Sequence, residues 1–325
     1  MIIRTPFRIT LFGGGTDFPE YFTKKRKDVD IINAAIDKYC YVEVLDNLSN
    51  DCNFEIIGKE IERCNKIEEI KNPLVRNALQ VYCPDIDKIK IIYTADLDGK
   101  SGLGTSSSYA VSLVKAFSTK AKIPNCLASE AIKLEREIMQ EKGGWQDQII
   151  ASHGGLLIAT FKEKGAFFST KKIDAESSKC KKLSENLLMF DTGLRRFSKD
   201  VQEETNVVRK DNKEVLNKIQ EISSQAKSIL INNSGKLSDI GNLLDKQWEL
   251  KKKLSNGISN DTIDKMYDLA KNAGAIGGKL MGAGKGGFLL LYAEEENKQD
   301  IREVLKEYKE IDFKIVNDRA SVIYK

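Results

Sequence analysis

The chain has 325 residues, of which 41% are hydrophobic and 31% charged, and these values are typical of a soluble globular enzyme with one large or two smaller domains. Its 52 Lys and Arg residues are interspersed with 48 Asp and Glu residues, so the net charge of +4 provides no concentrated basic surface for nucleic acid. No apolar run is long enough to span a bilayer and no secretory leader follows Met1, so we expect a cytoplasmic protein without a membrane partner.

Cysteine and histidine usage excludes several kinds of site. None of the six cysteines stands at C-x-x-C spacing, so the sequence predicts neither a zinc clip nor a redox pair. His153 is the only histidine, which sets aside Ser-His-Asp catalysis and polyhistidine metal centres. Scattered free thiols fit a reducing cytoplasm.

The first half of the chain reads as alternating strands and helices. Strands are predicted where β-branched and apolar residues alternate, and helices where apolar residues recur with helical spacing. In chain order these segments are strands at residues 2–12, 31–46 and 88–95, helices at 105–117, 127–141 and 145–152, and strands at 155–161 and 166–169.

A lysine-rich stretch at residues 171–182 marks a predicted boundary near residue 175, which divides the chain into domains 1–175 and 176–325. The second half mixes strands and helices in an order that suggests a split βαβ, ferredoxin-like domain. Its predicted elements are a strand at 186–190, charged helical segments ending near Leu254, a helix at 261–273, a strand at 287–292, a helix at 296–308 and strands at 312–316 and 320–324.

The segment SGLGTSSS, residues 101–108, is the strongest chemical signal, because it joins a predicted strand to a predicted helix. Unpaired N–H groups and the helix dipole make such a helix start a good phosphate site. Gly102 and Gly104 allow close approach of the backbone, and the hydroxyls can bind phosphate or Mg²⁺. A turn with a Ser or Thr helix cap is the alternative interpretation.

Two carboxylates form a second candidate group. Glu135 and Asp147 are separated by Gly143 and Gly144, which interrupt the predicted helix and allow both side chains to point into one cleft. Phosphoryl transfer needs a hard-oxygen Mg²⁺ ligand and a group that orients or deprotonates the attacking hydroxyl. By spacing alone, acidic residues on the surface of helices remain the alternative.

A third motif, KLMGAGKGGF at residues 279–288, joins a helix to the apolar strand FLLLYA. Glycine is retained where a loop is tight or lies close to another group, so this segment predicts a backbone wall beside phosphates or substrate. A glycine-rich turn entering a strand is the alternative interpretation.

These motifs together resemble the GHMP kinases. RTPFRITLFGGGTD at residues 4–17 is similar to the first motif of that family, SGLGTSSS to its phosphate loop, and KLMGAGKGG at 279–287 to its third motif. The resemblance covers essentially the whole chain and implies an α/β (α+β) GHMP kinase fold. That fold has an N-terminal ribosomal protein S5 domain 2-like domain and a C-terminal ferredoxin-like domain, and the family uses ATP and Mg²⁺.

The resemblance also implies roles for individual residues. Asp147 matches the catalytic aspartate, and Arg8 looks like the motif-one arginine that balances its charge. Ser106 and Glu135 match the residues that hold Mg²⁺. The residues expected to bind ATP are Ser101, Gly102, Leu103, Gly104, Thr105, Ser106 and Ser107. One departure is Asp98-Gly99-Lys100, where prolines and a glycine commonly precede this loop.

Within the family, the segments GGGTD, GGWQDQ and TGLRR look most like the kinases that phosphorylate the anomeric hydroxyl of D-glycero-D-manno-heptose 7-phosphate, a step toward nucleotide-activated heptose for surface polysaccharide. Arg196 occupies what resembles the arginine that grips the substrate phosphate. The residues expected to line the substrate site are Arg8, Gly14, Gly15, Thr16, Asp17, Gly144, Asp147, Arg196, Gly282, Gly284 and Lys285.

Three alternatives share these motifs. A fucose- or galactose-type kinase would act on a free sugar, a decarboxylase of this fold would release CO₂, and a sensor would bind ATP and sugar without turnover. Retention of Ser106, Glu135 and Asp147 together favours an enzyme. The expected partners are ATP and a sugar phosphate, and the sequence leaves the oligomeric state open, with a homodimer as one option.

Overall fold

A computed structural model describes residues 1–25, 27–97, 99, 102–162, 167–194, 212–232, 234–255 and 257–325. The strands are β1 Ile2–Phe12, β2 Val29–Leu45, β3 Phe54–Ile57, β4 Ile61–Cys64, β5 Ile89–Ala95, β6 Leu156–Phe161, β7 Phe168–Ile173, β8 Leu187–Asp191, β9 Gly277–Leu280, β10 Phe288–Tyr292 and β11 Ser321–Tyr324. The helices are α1 Pro19–Phe22, α2 Pro73–Tyr82, α3 Thr105–Phe117, α4 Pro124–Ile132, α5 Gln146–His153, α6 Ser178–Glu185, α7 Lys213–Asn232, α8 Asp239–Lys252, α9 Asp261–Asn272 and α10 Lys298–Val304.

The larger of two sheets has eight strands and is built around the long strand β2. The beginning of β2, from Val29 to Ala34, pairs with β6, and its end, from Cys40 to Leu45, pairs with β5. Strand β1 pairs antiparallel with β2 along most of its length. Residues 29–36 are all buried, including the polar Asp30 and Asn33, which explains why this stretch shows no regular alternation of apolar and polar residues.

The smaller sheet has the order β8-β10-β9 and is antiparallel. Every residue of β10 is buried. Leu290 and Tyr292 pack in one hydrophobic cluster, whereas Leu289 and Leu291 pack in another, so both faces of the strand are covered. Burial on two faces is why FLLLY shows no polar alternation.

The mixed α/β fold expected from the sequence is confirmed, and helix α3 has the predicted bounds. Some predicted elements are wrong. Residues 312–316 form no strand, and only Ile315 makes an isolated bridge, to Ile36. The predicted helix at 296–308 is helical in α10 only from Lys298 to Val304, after a short 3₁₀ turn.

The last strand joins the first sheet. β11 pairs antiparallel with β1, although the sequence pattern groups it with the second half. Strands β1 to β7 precede residue 175 and β8 to β10 follow it, whereas the division into domains 1–175 and 176–325 stays a prediction. Within the described parts of the chain, no helix combines the length and apolar character needed to cross a bilayer.

Helix α2 and the hairpin of β3 and β4 are absent from the sequence prediction. Asn72 caps α2 by accepting hydrogen bonds from the N–H groups of Leu74 and Val75, and Pro73 occupies the first helical position. This cap-and-proline pair is a sequence signal that could have located the helix.

Candidate functional site

Strand β1 carries Arg8 to the start of helix α3. The backbone N–H of Arg8 donates to the Leu103 carbonyl at 3.1 Å, and its Nη1 donates to the Gly102 carbonyl at 2.5 Å. Arg8 is only 5% exposed. The first motif and the phosphate loop, about ninety residues apart along the chain, are therefore fixed to each other by a buried side chain.

Arg8 also holds Asp147, which lies in the first turn of α5. The Nε atom donates to Asp147 Oδ1 and Nη2 donates to Oδ2, each at 2.7 Å. This two-bond geometry is the strong form of an arginine–carboxylate pair. Each carboxylate oxygen accepts one bond from Arg8 and keeps a second lone pair for another donor.

The phosphate loop needs its glycines for two separate reasons. Gly102 and Gly104 have φ of +77° and +78°, in the left-handed region that disfavours other residues. A Cβ on Gly104 would also approach Asp147 Oδ2 to 3.2 Å and the Arg8 side chain to 3.3 Å. Ser106 is exposed in the first turn of α3, where helix N–H groups lack intrahelical partners. Ser101 lies outside the described residues.

The phosphate loop meets the third motif backbone to backbone. A Cβ on Gly102 would lie 2.6 Å from the Met281 carbonyl oxygen, and a Cβ on Gly282 would lie 2.5 Å from Gly102 Cα. Side chains at either position would force the loop and the β9–β10 turn apart. The second half of the chain therefore completes the wall of the site that the first half begins.

Glu135 is 1% exposed and lies in a π-helical segment, Lys133–Ile138, that continues α4. Its Oε2 accepts a hydrogen bond from Gln148 Nε2 at 2.5 Å, and its Oε1 lies 3.5 Å from Ser106 Oγ. Burial raises the pKa of the Glu135 carboxyl, and Arg136 opposes that effect. Such π turns occur frequently at functional sites, and this one replaces the uninterrupted helix predicted here.

The contacts of Glu135 and Ser106 fit a magnesium ion. A buried carboxylate and an exposed hydroxyl converge beside the phosphate loop, and Mg²⁺ is usually held by one or two carboxylates together with substrate phosphates. The described residues contain no cluster of three His, Cys, Asp or Glu side chains that could hold a metal alone. The protein would therefore contribute these two oxygens, and nucleotide phosphates and water the others.

The Glu135→Gln variant is expected to raise the Mg²⁺ concentration for half-maximal activity by at least about 10-fold, because it removes the negative charge of a buried ligand. Magnesium titrations of initial rate measure this shift. Glu137→Gln, on the exposed side of the same segment, is the matched control and should leave the requirement unchanged. An unaltered magnesium curve for Glu135→Gln would remove Glu135 from the metal site.

Asp17 is a second carboxylate close to Asp147. It is 1% exposed and accepts hydrogen bonds from the backbone N–H of Gly15 at 3.0 Å and of Gln146 at 3.3 Å. Burial, reinforced by the charge of Asp147, raises the pKa of the Asp17 carboxyl to about 6, and the two backbone N–H groups oppose the rise. Gly144 makes room for this carboxylate, because a Cβ there would overlap it.

The elevated pKa of Asp17 predicts a pH-dependent stability. Since the folded-state pKa of about 6 exceeds the ordinary value of 3.8, the native state binds more protons between these values, and stability falls as pH rises through this window. The full effect is about 3 kcal/mol at 1.36 kcal/mol per pKa unit. Denaturant unfolding of ligand-free protein at about pH 4.5 and about pH 7 should show about 2 kcal/mol of this loss for the wild type relative to Asp17→Asn, because the remainder occurs below pH 4.5. Parallel curves for the two proteins would contradict it.

The glycine turn that precedes Asp17 is fixed from the other half of the chain. Gly13 has φ of +86°, and its N–H donates to Gln247 Oε1 at 3.0 Å. Gln247 Nε2 donates to the Leu11 carbonyl, also at 3.0 Å. The hydroxyl of the buried Thr16 donates to the Gly13 carbonyl at 2.8 Å, so its hydroxyl hydrogen closes the turn.

The remaining predicted substrate residues divide into two groups. Gly14 and Gly15 lie in the turn before Asp17, whereas Gly284 and Lys285 pack on the backbone of Ile258, beyond the contact of Gly282 with the phosphate loop. The substrate role of each stays a prediction. Arg196 lies outside the described residues.

Several polar residues of this region were not among the predicted site residues, and three of them lie on α5 and α8. They are Gln148, whose amide donates to Glu135 and to Ser107 Oγ at 3.2 Å, and Gln247 and Lys251 of α8. Gln148 immediately follows Asp147 in the GGWQDQ segment, which is a usable signal. Gln247 and Lys251 lie on a highly charged helix, and nothing in its pattern distinguishes them.

Comparison with known proteins gives matches along the whole chain. The family models described as "GHMP kinases N terminal domain" and "GHMP kinases C terminal" match residues 70–155 and 226–311, together just over half of the chain. The D-glycero-alpha-D-manno-heptose 7-phosphate kinase of Campylobacter jejuni is 29% identical over 93% of this chain and 92% of its own. The mevalonate kinase of Methanocaldococcus jannaschii is 27% identical over 98% of this chain and 99% of its own.

Solved structures show the same fold. The crystal structure of a D-glycero-D-manno-heptose 1-phosphate kinase from Bacteroides thetaiotaomicron superposes with a TM-score of 0.78 at 22% identity. The superposition covers 100% of this chain and 99% of that one. Both halves of the molecule, including the returning strand β11, therefore belong to one known architecture.

Proposed function

The chain belongs to the GHMP kinase family and is a sugar kinase, and from this premise we propose that it transfers the γ-phosphoryl group of ATP to the anomeric hydroxyl of a sugar phosphate. The name of the Campylobacter jejuni relative supports D-glycero-D-manno-heptose 7-phosphate as the substrate of this chain, and the product would then be the 1,7-bisphosphate. Such a product would supply a nucleotide-activated heptose for surface polysaccharide.

The observation that carries this proposal is the two-bond pair of Arg8 and Asp147 beside the phosphate loop. Arg8 fixes the orientation of the Asp147 carboxylate while its third contact, to the Gly102 carbonyl, fixes the distance to the loop. A base held next to a phosphate site suits direct transfer, because positioning supplies most of the rate enhancement in phosphoryl transfer.

In the proposed step the sugar O1 attacks the γ-phosphorus of ATP. The bond from phosphorus to the ADP oxygen breaks, the bond to O1 forms, and the hydroxyl proton passes to the free lone pair of Asp147. ADP leaves with the electron pair of the broken bond. The N–H groups at the start of α3 bind phosphate oxygens, and Asp17 accepts hydrogen bonds from sugar hydroxyls.

Ser106 and Glu135 would hold Mg²⁺ next to the loop, where the ion neutralises phosphate charge when it is bound. Gln148 donates to both Glu135 and Ser107 and keeps their side chains in place. The first turn of α5 thus contributes both the base, Asp147, and Gln148, which holds the metal ligand Glu135 in place.

An ADP-release assay with Mg-ATP tests the proposal against a panel of acceptors. The panel contains D-glycero-D-manno-heptose 7-phosphate, mannose 6-phosphate, mannose, fucose, galactose and mevalonate. Turnover confined to phosphorylated sugars supports the heptose-phosphate kinase. Turnover with free sugars alone discards the sugar-phosphate substrate, release of CO₂ indicates a decarboxylase, and binding of ATP without any turnover indicates a sensor.

A further inference from the structure

Two buried lysine side chains contact backbone carbonyls of the third motif and of β1, the strand that leads into the turn at residues 13–17. Lys279 lies in β9 and is 2% exposed, and Lys251 lies in the last turn of α8 and is 8% exposed. Lysine is almost never buried to this degree without a partner of opposite charge. Neither residue has a role in the phosphoryl transfer described above.

The hydrogen bonds of these two lysines use only some of their N–H donors. Lys251 Nζ donates to the carbonyls of Leu280, at 3.3 Å, and Gly282, at 2.5 Å. Lys279 Nζ donates to the Leu11 carbonyl at 3.3 Å. An ammonium group has three N–H donors, so one donor of Lys251 and two of Lys279 have no acceptor among the described residues. Within that part of the chain, neither lysine forms an ion pair.

Positive charge exceeds negative charge in this region. Burial, followed by the charge of Arg8, lowers the pKa of Lys251 to about 8. Burial, followed by Lys251 and Arg8, lowers the pKa of Lys279 well below its usual range, and Asp17 opposes the shift only in part. Asp147 is already paired with Arg8. A buried ammonium group is stabilised by an opposite charge, so an anionic ligand at this place would stabilise the charged form of both lysines.

The position of the two lysines indicates which ligand group is available. The carbonyl that Lys251 binds belongs to Gly282, which packs on Gly102 of the phosphate loop. Lys279 contacts Leu11, which leads into the glycine turn and Asp17. The unused donors therefore lie where the nucleotide site meets the proposed sugar site.

We propose that Lys251 and Lys279 bind a phosphate group at the junction of the nucleotide and sugar sites. The inference rests on the proposed phosphoryl transfer, whose two reactants each carry a phosphate that could occupy this place: the terminal phosphate of ATP and the phosphate carried by the sugar. An anion there restores the charge balance and favours the protonated ammonium forms. Binding is therefore coupled to proton uptake.

Calorimetric titrations near pH 8, in two buffers of different ionisation enthalpy, measure affinity and proton uptake together. The ligands form two pairs that differ by one phosphate: ADP with a non-hydrolysable ATP analogue, and the free heptose with its 7-phosphate. In one of the two pairs, we expect Lys251→Met and Lys279→Met each to bind the ligand with the extra phosphate about 10- to 100-fold more weakly than the wild type does. Affinity for the other three ligands should not change. The part of the proton uptake that Lys251 supplies in the wild type should disappear in Lys251→Met.

The affected pair identifies the source of the phosphate. Lys251→Arg keeps the charge and should retain most of the discrimination, and the exposed Lys253→Met is the matched control. If Lys251→Met fails to fold, Lys279→Met and Lys251→Arg still make the comparison. Wild-type affinities for all four ligands in the methionine variants, or an equal loss for all four, would overturn the proposal. Failure of the wild type to bind either heptose refutes the proposed substrate alone, because the nucleotide pair still tests the lysines.

Discussion

Asp147→Asn should lower kcat by roughly 10²- to 10⁴-fold while nucleotide affinity stays within about 3-fold of wild type, as expected for loss of a general base. The amide keeps the size of the side chain and one oxygen that can accept a bond from Arg8. It cannot accept the hydroxyl proton of the sugar. Single-turnover ADP release measures the loss, and a fluorescent nucleotide titration measures the affinity.

Asp268→Asn provides the control for this substitution, because Asp268 is an exposed carboxylate on α9. Its turnover should equal that of wild type. Wild-type turnover in Asp147→Asn would remove Asp147 from the chemistry. A parallel loss of nucleotide affinity would instead assign its effect to the Arg8 contact and the phosphate loop.

Gly144→Ala should reduce kcat/KM for the sugar by about 100-fold, the effect expected when a binding group moves by about 1 Å. The new methyl group would overlap the Asp17 carboxylate, which is 1% exposed and accepts hydrogen bonds from two backbone N–H groups, and would displace it. Affinity for ADP should not change. Steady-state kinetics with each substrate varied in turn separates the two expectations.

A double-mutant cycle tests whether displacement of Asp17 causes the effect of Gly144→Ala. If displacement of Asp17 is the whole effect, Gly144→Ala combined with Asp17→Ala should be no worse than Asp17→Ala alone. Additive losses would contradict that mechanism. Gly99→Ala is the matched glycine control, since a Cβ at Gly99 would meet no atom of the described residues within 4 Å.

The phosphate loop shows how far local sequence leads. A glycine-bearing turn between a strand and an amphipathic segment specifies both the start of α3 at Thr105 and its end at Phe117, because caps and apolar periodicity act over a few residues. The same local rules located β1 and α5 within one residue, and these elements carry Arg8 and Asp147.

The environment of Asp17 could not be obtained in this way. Its raised pKa comes from burial and from Asp147, which is distant along the chain, and its space depends on Gly144. A motif identifies the residue type, but the surrounding charges and the empty volume arise only when separate segments pack. The π-helical turn at Glu135 could not be predicted from local sequence either, since apolar periodicity predicts a regular helix there.

The sequence by itself therefore determined the family resemblance, the mixed α/β class and the turns that can bind phosphate, because each depends on neighbouring residues. Only the tertiary structure decided that β11 returns to β1 and that Gln247 and Lys251 of a charged helix reach the glycine loops. Those contacts join residues up to several hundred positions apart. Their energies depend on packing and burial, which no local pattern of residues records.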